Sequence, residues 1–340
     1  MKWQTINTFR LTPILLFLTL WVHCGPDAPH DNPLDPLNPS AGFTIKGEVF
    51  NYYPPFQGLE GVQLTLLPLN RQVISAANGQ FRFDNVKRGN FQLVGEARGY
   101  LPDTVSFRLA HDTTITLHLD ALPQFERLQV TAHRVGRFFP PEDLIYAQFS
   151  AIGTDPDGAN DVVSMNVLIP ELGIQDSLAP LQVITANQVS GTARKTANEL
   201  TLPTIEALIG KAIYFTISDR PGGFIRSEVQ YLFRVIPQIP MIISPAGLTT
   251  IPIDSVEIVF RWEPISLNFP FTFTVEIYRL DLGIGTLVRS VTDIAANITE
   301  IRLPNPGTPG DYFWVVYVVD ALGNTSRSRE GAFRIITTGG

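Results

Sequence analysis

The sequence predicts an all-β protein with three β-sandwich domains in tandem, which follow a signal peptide and a proline-rich tether. Beyond residue 42, apolar and polar residues alternate through short runs rich in β-branched and aromatic side chains. Turn-forming residues separate these runs about every 8–12 positions, which is typical of strands in a sandwich. Charged residues make up only 17% of the 340, and like charges form no long block, which argues against disorder and against a coiled coil.

Charge and cysteine content restrict the partners. The formal net charge is −7 and the sequence has no stripe of basic residues that would neutralise phosphates, so we expect no nucleic-acid partner. The chain has one cysteine, which excludes a disulfide framework and a cysteine-based zinc site.

Residues 1–23 have the layout of an export signal. Two basic residues, Lys2 and Arg10, precede an apolar run from Leu11 to Val22. This run of about 12 residues is shorter than the ~20 residues that a helix needs to span a bilayer. The one cysteine, Cys24, stands where the run ends. This arrangement resembles a bacterial lipoprotein signal, in which the cysteine becomes the lipidated first residue of the mature chain.

The resemblance implies an exported protein of the bacterial cell envelope, held to a membrane by the lipid on Cys24, and we expect that membrane to be the outer one. Lipid chains on one residue hold a protein firmly because each buried CH₂ contributes about 0.8 kcal/mol. The pattern departs from the family at His23, where a small residue is usual. An uncleaved N-terminal anchor and a buried thiol at Cys24 are the alternatives.

Residues 24–42 predict an extended tether. They contain five prolines and no apolar periodicity. At ~3.1 Å per residue, such a segment reaches roughly 50 Å from a bilayer.

The first predicted domain, residues 43–122, carries several turn motifs in order. They are Gly58–Val62, the Asn78–Val86 hairpin, Gly89–Phe91 and Arg98–Tyr100. The Asn-Gly pair that opens the hairpin supplies the positive φ that a tight turn needs, and Gly99 is expected to do the same before its tyrosine. These motifs resemble the carboxypeptidase regulatory-like domain, a transthyretin-like sandwich, which implies a non-catalytic spacer or binding module.

One loop of this domain, residues 50–56, departs from the family because it is aromatic rather than small and polar. Clustered aromatic rings beside prolines present flat faces to sugars or to proline-rich peptides. Tyr52, Tyr53 and Phe56 are therefore the candidate ligand-binding residues. The alternative is that these rings simply cap the sandwich.

The second predicted domain, residues 124–236, is equally rich in strand patterns, and we expect an immunoglobulin-like sandwich. One helix is predicted over Pro203–Ile209, because proline suits the first helical position and Gly210 the C-terminal cap. The turn Ser218–Gly223 occupies the same relative place as Asp320–Asn324 in the next domain, which indicates a divergent repeat.

The third predicted domain, residues 239–337, resembles a fibronectin type III or related immunoglobulin-like sandwich. Trp262 ends an alternating strand, as the core tryptophan of that family does. Thr272–Tyr278 suits strand C, and Gly310–Val316 suits strand F with Tyr312 at the place of the tyrosine corner.

Two alternating runs predict which side chains face a core. One run belongs to the second domain and the other to the third. The predicted inward residues are Val163, Met165, Val167 and Ile169 in the second domain, and Val256, Ile258, Phe260 and Trp262 in the third.

A short acidic loop in the second domain is the candidate metal site. Asp155, Asp157, Asn160 and Asp161 offer four oxygen-bearing side chains within seven residues, and oxygen is the ligand that Ca²⁺ prefers. The EF-hand pattern is incomplete, so a plain Asp/Gly turn is the interpretation that we favour, with a calcium site as the alternative. We expect no cofactor other than a calcium ion here.

The sequence predicts no enzyme. His111, His118 and His133 fall at turns or on polar faces and are expected to be solvated, and no nucleophile, zinc or phosphate-loop motif is present. A pair of carboxylates acting as a glycosidase is the remaining catalytic alternative.

The resulting functional expectation is a non-catalytic cell-envelope lipoprotein that presents or spaces β-sandwich interaction surfaces to a protein or glycan partner. The alternative is a carbohydrate-binding accessory lipoprotein that uses the aromatic loop of residues 50–56.

Overall fold

The structure, a computed structural model, describes residues 42–337. The chain is all-β as predicted, and it forms two compact units, unit 1 ending at Leu119 and unit 2 beginning at Asp120. The predicted signal peptide, Cys24 and all but the last residue of the predicted tether lie outside the described residues. None of the helices in the described range has the length and apolar character needed to cross a bilayer.

Unit 1 is a sandwich of a three-stranded and a four-stranded sheet. The order of the first sheet is β4-β1-β7, with β1 and β7 parallel, and the order of the second is β3-β2-β5-β6. The strands are β1 Phe43–Asn51, β2 Gln63–Leu67, β3 Arg71–Ile74, β4 Gln80–Val86, β5 Gly89–Glu96, β6 Asp103–Leu109 and β7 Thr113–Leu119. Alternate residues of both sheets bury a single core that includes Ile45, Leu64 and Phe83.

The two glycine turns predicted in unit 1 are confirmed. Gly79 has φ of 81° and Gly99 has φ of 83°, in the left-handed region that favours glycine. Gly79 also lies close to β1, since its carbonyl accepts the Val49 N–H at 2.9 Å.

Unit 2 contains two sandwiches, each with its own hydrophobic core. The strands of the first sandwich are β8 Gln124–Val135, β9 Leu144–Thr154, β10 Val162–Ile169, β11 Ile174–Ser177, β12 Gln182–Thr185, β13 Gln188–Thr196, β14 Tyr214–Asp219 and β15 Phe224–Arg226. Those of the second are β16 Ile242–Ser244, β17 Thr249–Pro252, β18 Glu257–Trp262, β19 Phe271–Asp281, β20 Ile284–Ala295, β21 Glu300–Pro304, β22 Gly310–Asp320, β23 Thr325–Arg327 and β24 Gly331–Ile336. Two 3-10 helices, Pro170–Leu172 and Ile205–Leu208, lie in the first sandwich. The domain limits 43–122, 124–236 and 239–337 stay a prediction.

One sheet runs through both sandwiches of unit 2. Its order is β12-β13-β9-β8-β23-β22-β19-β20, with β24 also pairing with β22 and β17 pairing with β24. The junction is the parallel pair β8–β23, in which His133 lies opposite Thr325. The partner sheets are β11-β10-β14-β15 in the first sandwich and β16-β18-β21 in the second. Because backbone hydrogen bonds cross the junction, the two cores are joined by more than a linker.

Two features predicted for the second sandwich of unit 2 are confirmed. Trp262 is 1% exposed and lies in the core, as predicted. The Tyr312 hydroxyl donates to the Thr308 carbonyl at 2.9 Å, four residues upstream, which is the tyrosine corner.

Three local predictions were wrong. The helix expected over 203–209 is only the four-residue 3-10 helix Ile205–Leu208. Val163 is 51% exposed, because the register shift between Val162 and Ser164 turns Val162 inward instead. Val256 is 84% exposed because it precedes the first residue of β18.

His133 is held at the junction between the sandwiches, where the expectation of a solvated ring was wrong. One ring nitrogen hydrogen-bonds the Thr131 hydroxyl at 2.8 Å and the other the Thr325 hydroxyl at 2.7 Å. The ring stacks on Tyr146 with 5.0 Å between ring centroids. Burial, and then the charge of Arg194, lower the pKa of His133 to about 4.

This environment predicts a pH dependence of stability. Unfolded histidine titrates near 6.5, so between about pH 6.5 and pH 4 the unfolded chain binds a proton that the folded chain does not, and stability falls as pH falls through that window. At pH 4.5 relative to pH 7.5, wild type should lose about 2 kcal/mol more unfolding free energy than His133→Gln. Urea unfolding followed by tryptophan fluorescence at both pH values measures this difference. Equal losses in the two proteins would refute it.

Candidate functional site

Four aspartates meet at one end of the first sandwich of unit 2. Asp120 precedes β8 and Asp155 directly follows β9, and these strands are antiparallel neighbours, with Gln124 opposite Thr154. Asp161 precedes β10 and Asp219 ends β14, which are antiparallel neighbours in the facing sheet. Strand pairing therefore brings all four carboxylates to the same end of the sandwich.

These residues, called here the carboxylate cluster, are tightly grouped and buried. One carboxylate oxygen from each of Asp120, Asp161 and Asp219 lies within 4.8 Å of the other two. The exposed fractions are 2% for Asp120, 0% for Asp155, 5% for Asp161 and 4% for Asp219. Acidic side chains are seldom so buried unless a partner balances their charge.

Several oxygens of the carboxylate cluster receive no hydrogen bond. Asp219 Oδ1 accepts the backbone N–H groups of Gly222 and Gly223, and Asp155 Oδ1 accepts the N–H of Asp157 at 2.8 Å. The remaining oxygens of these two aspartates, and both oxygens of Asp120, have no hydrogen-bond partner among the described residues.

Three members of the carboxylate cluster have no basic partner among the described residues. No Lys or Arg in residues 42–337 lies at ion-pair distance from Asp120, Asp155 or Asp219. The nearby Arg220 turns its guanidinium to the Asn160 carbonyl, with Nε at 3.2 Å.

Burial and the neighbouring negative charges raise the pKa of three members of the carboxylate cluster, Asp120, Asp155 and Asp219. Burial first, and then the charges of Asp219 and the neighbouring aspartates, raise the pKa of Asp120 to about 8. Burial raises the pKa of Asp155 to about 7 and also raises the pKa of Asp219. A positive charge bound beside the carboxyls of Asp120, Asp155 and Asp219 would therefore stabilise the folded protein.

A glycine makes room for one of these carboxylates. A Cβ atom on Gly223 would lie 2.0 Å from Asp219 Oδ2, so any larger residue would displace the carboxylate. The same glycine donates its N–H to the other oxygen of Asp219. The turn thus holds the Asp219 side chain in one orientation.

The predicted metal loop contributes two of its four residues to the carboxylate cluster. Asp155 and Asp161 are members of the carboxylate cluster. Asn160 is exposed and lies outside it. Asp157 is half-buried and also lies outside it, and its Oδ2 accepts the Ala121 N–H at 2.8 Å. Sequence reasoning missed Asp120 and took Asp219 only as a turn residue. The sequence does show that Asp120 and Asp219 each stand at the end of a strand-like run. It does not show that they lie close together, because that depends on which strands pair.

The second sandwich of unit 2 contains a matching turn without a cluster. Asp320 ends β22 as Asp219 ends β14, and it is 4% exposed. Its oxygens accept the N–H groups of Leu322 and Asn324 at 2.9 Å and the Asn324 amide at 2.8 Å, while Arg234 Nε lies 3.6 Å away. Here the protein itself supplies the positive charge and donors.

The aromatic loop of unit 1 combines packed and exposed rings. Tyr52 is 43% exposed and meets Tyr53 edge-on with ring centroids 5.0 Å apart. Phe56 is 54% exposed, and its ring lies 4.9 Å from that of His118. Asn51 closes the loop by donating to the Tyr53 carbonyl at 2.9 Å. Ligand binding by Tyr52, Tyr53 and Phe56 stays a prediction.

The histidines differ from the expectation of solvated rings in two of three cases. His111 is exposed, as expected. His118 is half-buried against Phe50 and Phe56, and His133 is held at the sandwich junction. None of the three belongs to the carboxylate cluster within the described range.

Comparison with known proteins yields structural likeness only. No family model and no curated protein matches the chain. The major pilin subunit BcpA of Bacillus cereus is 10% identical, with a TM-score of 0.29 over 87% of this chain and 97% of that chain. The FN1–FN3 domains of chicken CNTN1 are 11% identical, with a TM-score of 0.32 over 86% and 98%. The fibronectin(III)-like modules of Clostridium thermocellum CbhA are 10% identical, with a TM-score of 0.29 over 64% and 94%. TM-scores this low support no inference about the function of this chain.

Proposed function

We propose that this chain is a non-catalytic lipoprotein of the bacterial cell envelope, which carries tandem β-sandwiches on a tether and presents their surfaces to a partner. The observation that supports the proposal most is the sheet that continues through both sandwiches of unit 2. A shared sheet resists bending between the two cores, which suits a body that holds surfaces at a distance from its anchor.

The exposed surface of unit 2 supports a contact role. The β19–β20 hairpin lies at the edge of the shared sheet and carries Leu282 and Ile284, which are 104% and 71% exposed. Apolar side chains on an edge strand are typical of surfaces that meet other molecules.

The anchor and the first domain rest on sequence resemblance. Cys24 at the end of a short apolar run supports lipidation, and residues 24–42 support a spacer. The glycine turns at Gly79 and Gly99 have the backbone conformation that the carboxypeptidase regulatory-like motifs require. Unit 1 is, on this proposal, such a domain.

Lipidation is tested by metabolic labelling with palmitate in a bacterial host. Because the chain has one cysteine, wild type should be labelled and recovered with membranes, whereas Cys24→Ala should be unlabelled and recovered in the soluble fraction. Equal labelling of the two chains would contradict the proposal. Turnover of glycoside, ester or peptide substrates by the purified protein would contradict its non-catalytic part.

A further inference from the structure

We propose that the carboxylate cluster of unit 2 binds one Ca²⁺ ion, with Asp120, Asp161 and Asp219 as ligands and Asp155 beside them. The proposal is independent of lipidation and of any partner, because it concerns only the end of the first sandwich.

The main argument is the state of Asp120. Its side chain is 2% exposed, and neither oxygen has a hydrogen-bond partner among the described residues. A buried carboxylate without a donor is costly, and buried charges in proteins are either paired or bound to metal. One carboxylate oxygen of Asp120 lies within 4.8 Å of an oxygen of Asp161 and an oxygen of Asp219, which are themselves acidic, so a cation among them would supply the missing partner.

The spacing of the oxygens fits a single calcium ion. Calcium holds its oxygen ligands at about 2.3–2.6 Å, so two ligands on opposite sides of the ion are about 5 Å apart. The grouped oxygens of Asp120, Asp161 and Asp219 lie within 4.8 Å of one another. A single ion placed among them is within reach of one oxygen from each of the three side chains.

The donor set selects the ion. Carboxylate oxygens suit hard cations, and the absence of histidine and cysteine from this group of described residues argues against zinc or copper. Magnesium demands a near-ideal octahedron and keeps several waters, whereas calcium accepts irregular sets of several carboxylates. A buried group of carboxylates from three separate segments matches calcium better.

The matching turn at Asp320 shows what the cluster lacks. There, Arg234 and the Asn324 amide face the carboxylate. At the corresponding position in the first sandwich, Asp219 faces Asp120 and Asp161 instead. A bound cation would balance the negative charge of Asp219, as Arg234 balances that of Asp320.

The expected consequence is that calcium ties three segments together: the chain entering β8, the loop between β9 and β10, and the turn after β14. Calcium should therefore stabilise unit 2 against unfolding, because it binds the folded state only.

Thermal unfolding of the purified full chain tests the proposal. Tryptophan fluorescence reports on unit 2, since Trp262 and Trp314 are buried there. From EDTA to millimolar CaCl₂, the midpoint for wild type should rise by about 5 °C or more. Asp120→Asn and Asp219→Asn should lose this rise, and in EDTA they should melt no lower than wild type, because each removes one acidic side chain from a group whose members repel one another when ionised.

Asp320→Asn is the matched control. It removes a buried strand-end carboxylate outside the carboxylate cluster, so its midpoint should fall while the calcium-dependent rise persists. No rise for wild type, or an equal rise in Asp120→Asn and Asp219→Asn, would overturn the proposal. An equal rise with MgCl₂ would overturn the assignment of the ion as calcium.

Discussion

Asn324→Ala is expected to lower the unfolding free energy of unit 2 by about 3 kcal/mol, because it leaves buried polar groups without partners at the sandwich junction. Asn324 is 1% exposed. Its side-chain oxygen accepts the Ala132 N–H of β8 at 2.8 Å, and its amide donates to Asp320 at 2.8 Å. Both contacts are buried, and the first joins the two sandwiches directly.

The measurement is urea unfolding of wild type and variant, followed by tryptophan fluorescence and by far-UV circular dichroism. The fluorescence transition, which reports on unit 2 through the buried Trp262 and Trp314, should shift to lower urea concentration in Asn324→Ala, since the junction holds the sandwiches in one cooperative body. Asn305→Ala is the control, because its side-chain bond to the Pro252 carbonyl is exposed and should matter little. A loss below about 1 kcal/mol for Asn324→Ala would contradict the role given to the junction.

Gly79→Ala is expected to cost unit 1 about 3 kcal/mol or more, and Gly99→Ala only about 1 kcal/mol. Both glycines have positive φ, so alanine is strained at either position. At Gly79 the added Cβ would also lie 2.3 Å from the Val49 carbonyl oxygen, whereas at Gly99 it would meet nothing within 4 Å. The backbone of β1 must therefore move in the first variant only.

The pair is compared by thermal unfolding followed by far-UV circular dichroism. The two variants carry the same change at the same backbone conformation, so the difference between them isolates the close approach to β1. Equal midpoints for the two variants would show that strain alone accounts for the requirement for glycine at Gly79.

Patterns that depend on near neighbours in sequence were predictable. Alternation placed Phe260 and Trp262 in a core, and the motif around Tyr312 predicted a hydrogen bond that the structure contains. Val163 was misplaced because a bulge shifts the register by one residue, and alternation cannot reveal a bulge.

Features that depend on distant parts of the chain were not predictable from pattern. The shared sheet requires β23 to pair with β8, nearly two hundred residues apart, and no local signal specifies that pairing. The carboxylate cluster likewise joins Asp120 and Asp219 to a loop that was recognised only for its own acidic residues. Composition drew attention to the acidic loop at Asp155, for which a plain turn was favoured, while strand pairing brings Asp155 and Asp161 together with Asp120 and Asp219.

The central claim is that unit 2 contains a site built for a cation, and calorimetric titration of calcium into the chelator-treated full chain tests it most directly. We predict binding of one ion per chain for wild type and for Asp320→Asn, and none for Asp219→Asn. No heat of binding in wild type, or undiminished binding in Asp219→Asn, would contradict the claim.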